Sequence, residues 1–155
     1  MYQIEIRHNF ETAHRLSTPG SPLKCMSIHG HSWWVTVTLE GPRLDDADLL
    51  VEFGAFKLAW RKWLDERIDH HLVLRRGDPM AEAVRGVFAE SRILELDHNP
   101  TTEYLAEFLF RQAESTLASM KDTVHVPVHV TRVHVQETGV NAASYSPSRT
   151  PGARV

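Results

Sequence analysis

From Tyr2 to His14 the chain alternates: Tyr2, Ile4, Ile6, His8, Phe10, Thr12 and His14 share one parity, opposite Gln3, Glu5, Arg7 and Glu11. A period of two marks a strand with one face buried, so residues 2–14 are predicted as the first strand. Residues 17–24, STPGSPLK, have the Ser, Pro and Gly content of a loop. Alternation resumes from about Ile28 to Glu40, where Trp33, Val35, Val37 and Leu39 oppose Ser32, Trp34, Thr36 and Thr38. Gly41-Pro42 ends this second strand, and Asp45, Asp46 and Asp48 mark an exposed turn.

The period then changes. Phe53, Phe56, Trp60, Trp63 and Leu64 recur at helical spacing, with Lys57, Arg61, Lys62 and Asp65 toward solvent, which predicts a helix over 53–67. The stretch Ile68–Leu74 is apolar around Asp69, His70 and His71. Asp78-Pro79 is a cap-plus-proline start for a short helix to about Glu90, and residues 92–96 read as a short strand or an extended loop. Asn99-Pro100 repeats the same signal and opens a helix carrying Leu105, Phe108, Leu109 and Ala113 on one stripe. Strands over about 126–137 and 140–146 complete the chain. The order strand, strand, helix, helix, strand, strand, with one extra short helix, predicts an α+β domain with an antiparallel sheet and helices on one face. A single domain is expected over 1–146. The Ser-, Pro-, Gly- and Arg-rich residues 147–155 are expected to fray as a tail.

Composition narrows the function. A chain of 155 residues can bury a core without disulfides. The net charge of -3 argues against a protein held on nucleic acid through phosphate contacts. One cysteine forbids an internal disulfide, and a reducing, cytoplasmic location is the expectation. The start MYQIEIRHNF lacks the basic and apolar segments of a signal peptide, and no apolar run approaches bilayer length. No nucleic-acid or membrane partner is therefore expected. The unusual number is ten histidines, the side chain that most often ligates metals.

His29-Gly30-His31 opens the second strand, and residues i and i+2 of a strand point to one face. His14 ends the first strand. If the two strands pair as a hairpin, His14 lies near the His29–His31 end. Three neutral imidazoles with a fourth position open describe a catalytic zinc site, whereas a structural site closes with a fourth protein ligand. Cys25 can supply that ligand, so both forms stay open on spacing alone. A histidine pair at i, i+2 is by itself weak, and His8, His98, His125, His129 and His134 receive no role.

Cys25 reads either as a small buried hydrophobe or, beside a metal, as a thiolate able to act as a base. Asp69-His70 offers a carboxylate that orients an imidazole, half of a proton relay; an exposed cluster at a helix end is the plainer alternative. Glu137 is either a solvated strand-end glutamate or the acceptor for a guanidine-like edge of a heterocycle.

These residues fall into a known order. Residues 10–16, FETAHRL, then Cys25 and His29-Gly30-His31-Ser32, resemble the signature of the 6-pyruvoyltetrahydropterin synthase / 6-carboxytetrahydropterin synthase family. IDHHL at 68–72 resembles the family's Asp-His segment, NPTTE at 99–103 the start of its second helix, and VQET at 135–138 its Glu-Thr substrate anchor. The resemblance implies the tunnelling fold (T-fold). In it a four-stranded antiparallel sheet with two main helices on one face joins two other subunits in a β-barrel, often with two trimers stacked into a hexamer and active sites between subunits. It implies His14, His29 and His31 as zinc ligands, Cys25 as catalytic base, and Asp69 and His70 as its relay. Glu137 would hold the pterin ring, with Thr101, Thr102 and Glu103 near the pterin pocket.

Three residues separate Cys25 from His29, which is similar to the 6-carboxy branch. That branch implies conversion of 7,8-dihydroneopterin triphosphate to 6-carboxytetrahydropterin, acetaldehyde and triphosphate, in 7-deazapurine (queuosine) biosynthesis. The stretch 75–97 is longer than in compact members, and Glu52-Phe53 stands where Asp-Phe is common. One alternative is the 6-pyruvoyl synthase, which eliminates triphosphate for pterin cofactor synthesis. Another, of a different class, is a non-catalytic zinc-stabilised assembly protein with Cys25 as fourth ligand.

Overall fold

The computed structural model of the protein describes residues 1–148, so most of the predicted 147–155 tail lies outside the described residues. Two long strands form its spine: β1 (Tyr2–His14) and β2 (His29–Gly41) pair antiparallel along their whole length, from Tyr2↔Gly41 to His14↔His29. The predicted alternation is the cause. Ile6 and Phe10 of β1, with Trp33, Val35, Val37 and Leu39 of β2, are almost fully buried on one face. Each large side chain so buried is worth roughly 1.5–3 kcal/mol. A single turn, α1 (Leu23–Met26), sits in the loop between the two strands.

The chain then leaves the sheet for α2 (Phe53–Arg67), whose Phe56, Trp60 and Leu64 enter the core. Phe53 was expected on that stripe but is 41% exposed. It precedes the first buried turn, and Lys57 Nζ lies 5.4 Å from its ring centroid. Glu52 caps α2 by accepting from Gly54 N–H and Ala55 N–H.

Next come β3 (Leu72–Arg75), α3 (Pro79–Val87) and β4 (Ile93–Leu96). β3 joins the tip of β1 in parallel through Ala13↔Leu72 and His14↔Val73, and β4 pairs in parallel with β3. This βαβ unit occupies the stretch read as unusually long, and it settles 92–96 as a strand. The last segments are α4 (Thr102–Ser119), β5 (His129–Gln136) and β6 (Ala142–Tyr145). Leu105, Leu109, Phe110, Ala113 and Leu117 bury the inner face of α4, whereas Phe108 is only partly buried.

The sheet order is β4-β3-β1-β2-β5-β6. The four antiparallel strands expected are β1, β2, β5 and β6, but two short parallel strands extend them into a mixed sheet of six. Short apolar runs such as LVLR and ILEL carry no period that separates strand from loop, which is why the extension was not legible as sheet. α2 packs against β1, and α4 against β5 and β6. The opposite face is polar: Arg7 lies 4.3 Å from the Trp34 ring centroid and donates to Gln136, while Glu5 pairs with Arg132 at 3.4 Å. Among the described residues no helix is long and apolar enough to cross a membrane.

Candidate metal centre and its cavity

The β1–β2 register brings three imidazoles together. His14 stands opposite His29, and His31 opposite Thr12, so all three project from the core face at one end of the ribbon. Their ring centroids are 4.5 Å (His14–His29), 5.3 Å (His14–His31) and 5.1 Å (His29–His31) apart. One ring nitrogen of each lies within 4.8 Å of the others, a spacing that admits one ion between them. The fully buried Trp33 forms the floor, edge-on to His14 at 5.1 Å and to His31 at 5.3 Å. Its indole N–H is anchored on the Thr12 carbonyl at 3.3 Å.

Backbone carbonyls fix two of the tautomers. His14 Nδ1–H donates to the Pro100 carbonyl at 2.7 Å, and His29 Nδ1–H to the Ser27 carbonyl at 2.8 Å. With Nδ1 protonated, each Nε2 holds a free lone pair, the arrangement that metal-ligating histidines adopt. His14 Nε2 is buried and has no hydrogen-bond partner. A buried acceptor left empty costs free energy unless something occupies it. Burial lowers the pKa of His14, helped by the nearby His29 and His31, against the Pro100 carbonyl and the Glu137 carboxylate, which raise it. Burial likewise lowers that of His31. Both rings are thus held in the neutral, ligating form, and the three residues fit a divalent metal with imidazole ligands.

Glu137, just beyond β5, completes the polar rim. Its Oε1 lies 3.8 Å from both His14 Nε2 and His31 Nε2. Its neighbour Thr138 N–H and its own N–H both donate to the Asn141 carbonyl. The family resemblance implies a pterin-holding role for Glu137; the structure puts its carboxylate beside the histidine cup.

The cup opens into a cavity of about 560 Å³. Cys25, Glu137, Thr101, Thr102 and Glu103 line it together with the three histidines. All but two of the predicted site residues therefore meet in one place. Cys25 is half-buried and stands outside the group of close metal-ligating atoms, so the cup closes on three histidines without it. Thr101 is the N-cap of α4, its hydroxyl accepting from Tyr104 N–H at 3.2 Å. That corrects the expected cap at Asn99: the helix begins two residues later because the Asn99 side chain is engaged elsewhere, with Ser17 and Thr18. Lys24 and Asn141 also line the cavity and were not singled out by sequence. Their signal was adjacency to Cys25 and to the Glu137 turn.

Asp69 and His70 form the expected pair, but not in this cavity. Asp69 Oδ2 accepts from His70 Nδ1–H at 2.8 Å, and Asp69 Oδ1 accepts from Glu11 N–H at 2.7 Å. Burial raises the pKa of Asp69, but the hydrogen bonds from Glu11 and His70, with the Arg61 charge, bring it below the usual value. His70 sits at φ +56°, its N–H held by the Glu11 carbonyl at 2.6 Å. Its ring lines a second depression, with Glu11, Ser32 and Arg92, which shares only His31 with the Cys25 cavity.

Fold and cup together define a tunnelling-fold protein with a three-histidine candidate metal centre. A family model described as 6-pyruvoyl tetrahydropterin synthase matches residues 3–148, and the chain belongs to that family. A relative from Rickettsia bellii, named 6-carboxy-5,6,7,8-tetrahydropterin synthase, is 31% identical over 106 residues, covering 68% of this chain and 75% of that protein. One of the same name from Aquifex aeolicus is 28% identical over 160 residues, covering 93% and 97%. In three dimensions the chain resembles an uncharacterized protein from Wolinella succinogenes, with TM-score 0.75, 21% identity and coverage of 94% and 98%. The Caenorhabditis elegans 6-pyruvoyl tetrahydropterin synthase superposes with TM-score 0.65, 20% identity and coverage of 95% and 96%.

Proposed function

We propose that the protein is a zinc-dependent, cytoplasmic 6-carboxy-5,6,7,8-tetrahydropterin synthase. It would convert 7,8-dihydroneopterin triphosphate to 6-carboxytetrahydropterin, acetaldehyde and triphosphate, serving 7-deazapurine biosynthesis. The observation that carries this reading is the orphaned, buried His14 Nε2 in a cavity that also holds Cys25 and Glu137. The relatives from Rickettsia and Aquifex bear the name of this activity.

In this reading His14, His29 and His31 would hold zinc, which when bound would supply Lewis acidity that lowers the pKa of substrate hydroxyls. Cys25 removes a proton from the adjacent carbon as a thiolate base. Glu137 accepts the guanidine-like edge of the pterin and so sets which carbon faces Cys25. Thr101, Thr102 and Glu103, which line the same cavity, would lie near the pterin. Asp69 keeps His70 Nδ1 protonated and leaves Nε2 to exchange a proton with the substrate.

Because His70 faces a separate depression, a second copy of the chain would bring its own Asp69–His70 pair to this cavity. The trimer-based barrel implied by the tunnelling fold provides such a neighbour. It would also cover the exposed sheet edges at β4 and β6.

The test is to incubate zinc-loaded protein with 7,8-dihydroneopterin triphosphate, identify products by mass spectrometry and assay acetaldehyde in parallel. Acetaldehyde with 6-carboxytetrahydropterin is expected. A pyruvoyl product without acetaldehyde would move the protein to the 6-pyruvoyl reaction, whose name the matching family model carries. No turnover by folded, zinc-loaded protein would sink the enzyme reading.

A further inference from the structure

Cys25 does not sit on a strand or a long helix; its place is set by the loop between β1 and β2. That loop is closed at its base by Leu16 N–H donating to the Cys25 carbonyl at 2.8 Å. Within it, Cys25 N–H and Met26 N–H both donate to the Pro22 carbonyl, at 2.9 and 3.0 Å, forming the single turn of α1. The first of these bonds ties Cys25 to Leu16, which directly precedes Ser17 and Thr18, and Ser21 N–H donates to the Thr18 carbonyl at 3.2 Å within the same loop.

The side-chain tie from this loop to the segment before α4 comes from Asn99. Its Oδ1 accepts from Ser17 N–H at 3.1 Å and from the Ser17 hydroxyl at 3.2 Å, and its Nδ2–H donates to the Thr18 hydroxyl. One carboxamide thus uses both lone pairs and one donor on two adjacent loop residues. Asn99 is not spent on capping α4, since Thr101 does that. Its own backbone is fixed by Thr101 N–H donating to the Asn99 carbonyl at 2.8 Å. The next residue, Pro100, gives its carbonyl to His14 Nδ1. A single dipeptide therefore holds one imidazole of the cup through Pro100 and the thiol-bearing loop through Asn99.

We propose that Asn99 is a positioning residue that sets where the Cys25 thiol stands relative to the three-histidine cup. Asn99 does not line the cavity itself and acts through Ser17 and Thr18. The consequence for turnover rests on the proposed role of Cys25; the positioning itself does not.

Cys25 is the only cysteine, so alkylation of the intact, folded chain by iodoacetamide reports this loop alone. Asn99→Ala removes up to three hydrogen bonds and is expected to speed Cys25 alkylation about five- to tenfold. Zinc stoichiometry stays at the parent value. Asn99→Asp keeps the oxygen that accepts from Ser17, and is expected to return the rate to within about twofold of the parent. In turnover, Asn99→Ala lowers kcat about tenfold while KM stays near the parent value, and Asn99→Asp restores most of the loss.

A merely structural role would shift the unfolding midpoint without that split or that rescue. Should Asn99→Ala fail to fold, Thr18→Val removes one of the three bonds outside α4 and is expected to give a smaller rise in alkylation. An unchanged alkylation rate in the variant that folds, or a rise that Asn99→Asp does not reverse, overturns the proposal. If the parent shows no pterin turnover yet the alkylation pattern holds, the reaction assignment fails and the positioning stands.

Discussion

Arg15 Nε donates to Asp78 Oδ2 at 3.0 Å, and the Asp78 side chain has no exposed surface. The other oxygen of Asp78 accepts from Met80 N–H at 3.0 Å and caps α3. One carboxylate therefore starts the helix of the β3–α3–β4 unit and neutralises the residue that follows His14. The 75–97 stretch is bolted to the tip of β1, beside the histidine cup.

Asp78→Ala leaves Arg15 mostly buried without a counter-ion and strips the cap from α3. The expected loss is about 2–4 kcal/mol of stability, since removing one partner of a buried pair and an N-cap each cost on the order of 1 kcal/mol or more. Asp78→Asn keeps an acceptor for Met80 N–H and is expected to recover about 1 kcal/mol of that. Urea unfolding of the three proteins measures this. Equal stability of Asp78→Ala and the parent would show that the extension is not anchored through this residue.

His70 offers a separation of stability from chemistry. It is a non-glycine residue at φ +56°, where a side chain is strained and glycine is not. Its side chain is 70% exposed, so little packing is lost on truncation. His70→Gly is expected to leave stability unchanged or raise it by about 0–1 kcal/mol. Under the proposed function the same change removes the proton relay and lowers kcat by about 10²–10⁴. Denaturant midpoints and turnover, measured on the same preparation, check both halves. Strong destabilisation would mean that the strained backbone is held by the imidazole, contrary to its exposure.

Stability should also follow pH in a definite direction. His8, His14, His31 and His71 all have pKa values lowered from 6.5, with burial the largest cause in each. Between the folded and unfolded pKa values, the unfolded chain binds more protons than the folded one. Stability therefore rises with pH across that window, and it falls as acid is added below about pH 6.5. The carboxylates of Glu52 and Asp69 act in a second, lower window. Their pKa values are depressed from 4.5 and 3.8, so their contribution is present above those values and is lost as pH falls further. Urea midpoints of chelator-treated protein between pH 8 and pH 3 should fall in these two stages. A flat profile from pH 7 to pH 5 would contradict the burial of the neutral rings.

What could be read from the sequence follows from the range of each interaction. The β1–β2 ribbon was legible because alternation sets both strand and face, and placing His14 beside His29 needs only that the two strands pair. The roles of Cys25 and Glu137 came from motif resemblance, and the structure brings both to the cup's cavity. By contrast, the Pro100 carbonyl that orients His14 lies 86 residues away in sequence, and no local pattern announces it. The cap of α4 was misplaced for a related reason. Asn99-Pro100 is a good local start signal, but a tertiary contact with Ser17 and Thr18 claims Asn99 and passes the cap to Thr101. The separation of His70 from the Cys25 cavity depends on how the β1 tip meets residues 68–72, which periodicity does not encode.

Cys25→Ala distinguishes the two roles that the sequence left open for the thiol. As the fourth ligand of a structural site, it would take metal and fold with it when removed, because such a site contributes directly to folding. The geometry speaks against that, since the close group of ligating atoms comprises His14, His29 and His31 alone. Cys25→Ala is therefore expected to retain metal at the parent stoichiometry and to unfold within about 1 kcal/mol of the parent, as a half-buried single side chain should. Its turnover should fall by about 10²–10⁴, the usual contribution of a positioned acid or base. His14→Ala supplies the contrast. It deletes the buried ligand and is expected to weaken metal binding by more than the roughly 10–100-fold that losing an outer-shell partner costs. Metal content by atomic emission, with unfolding and turnover on both variants, reads the difference. Loss of metal and stability in Cys25→Ala would move the thiol into the coordination sphere and end its assignment as the base.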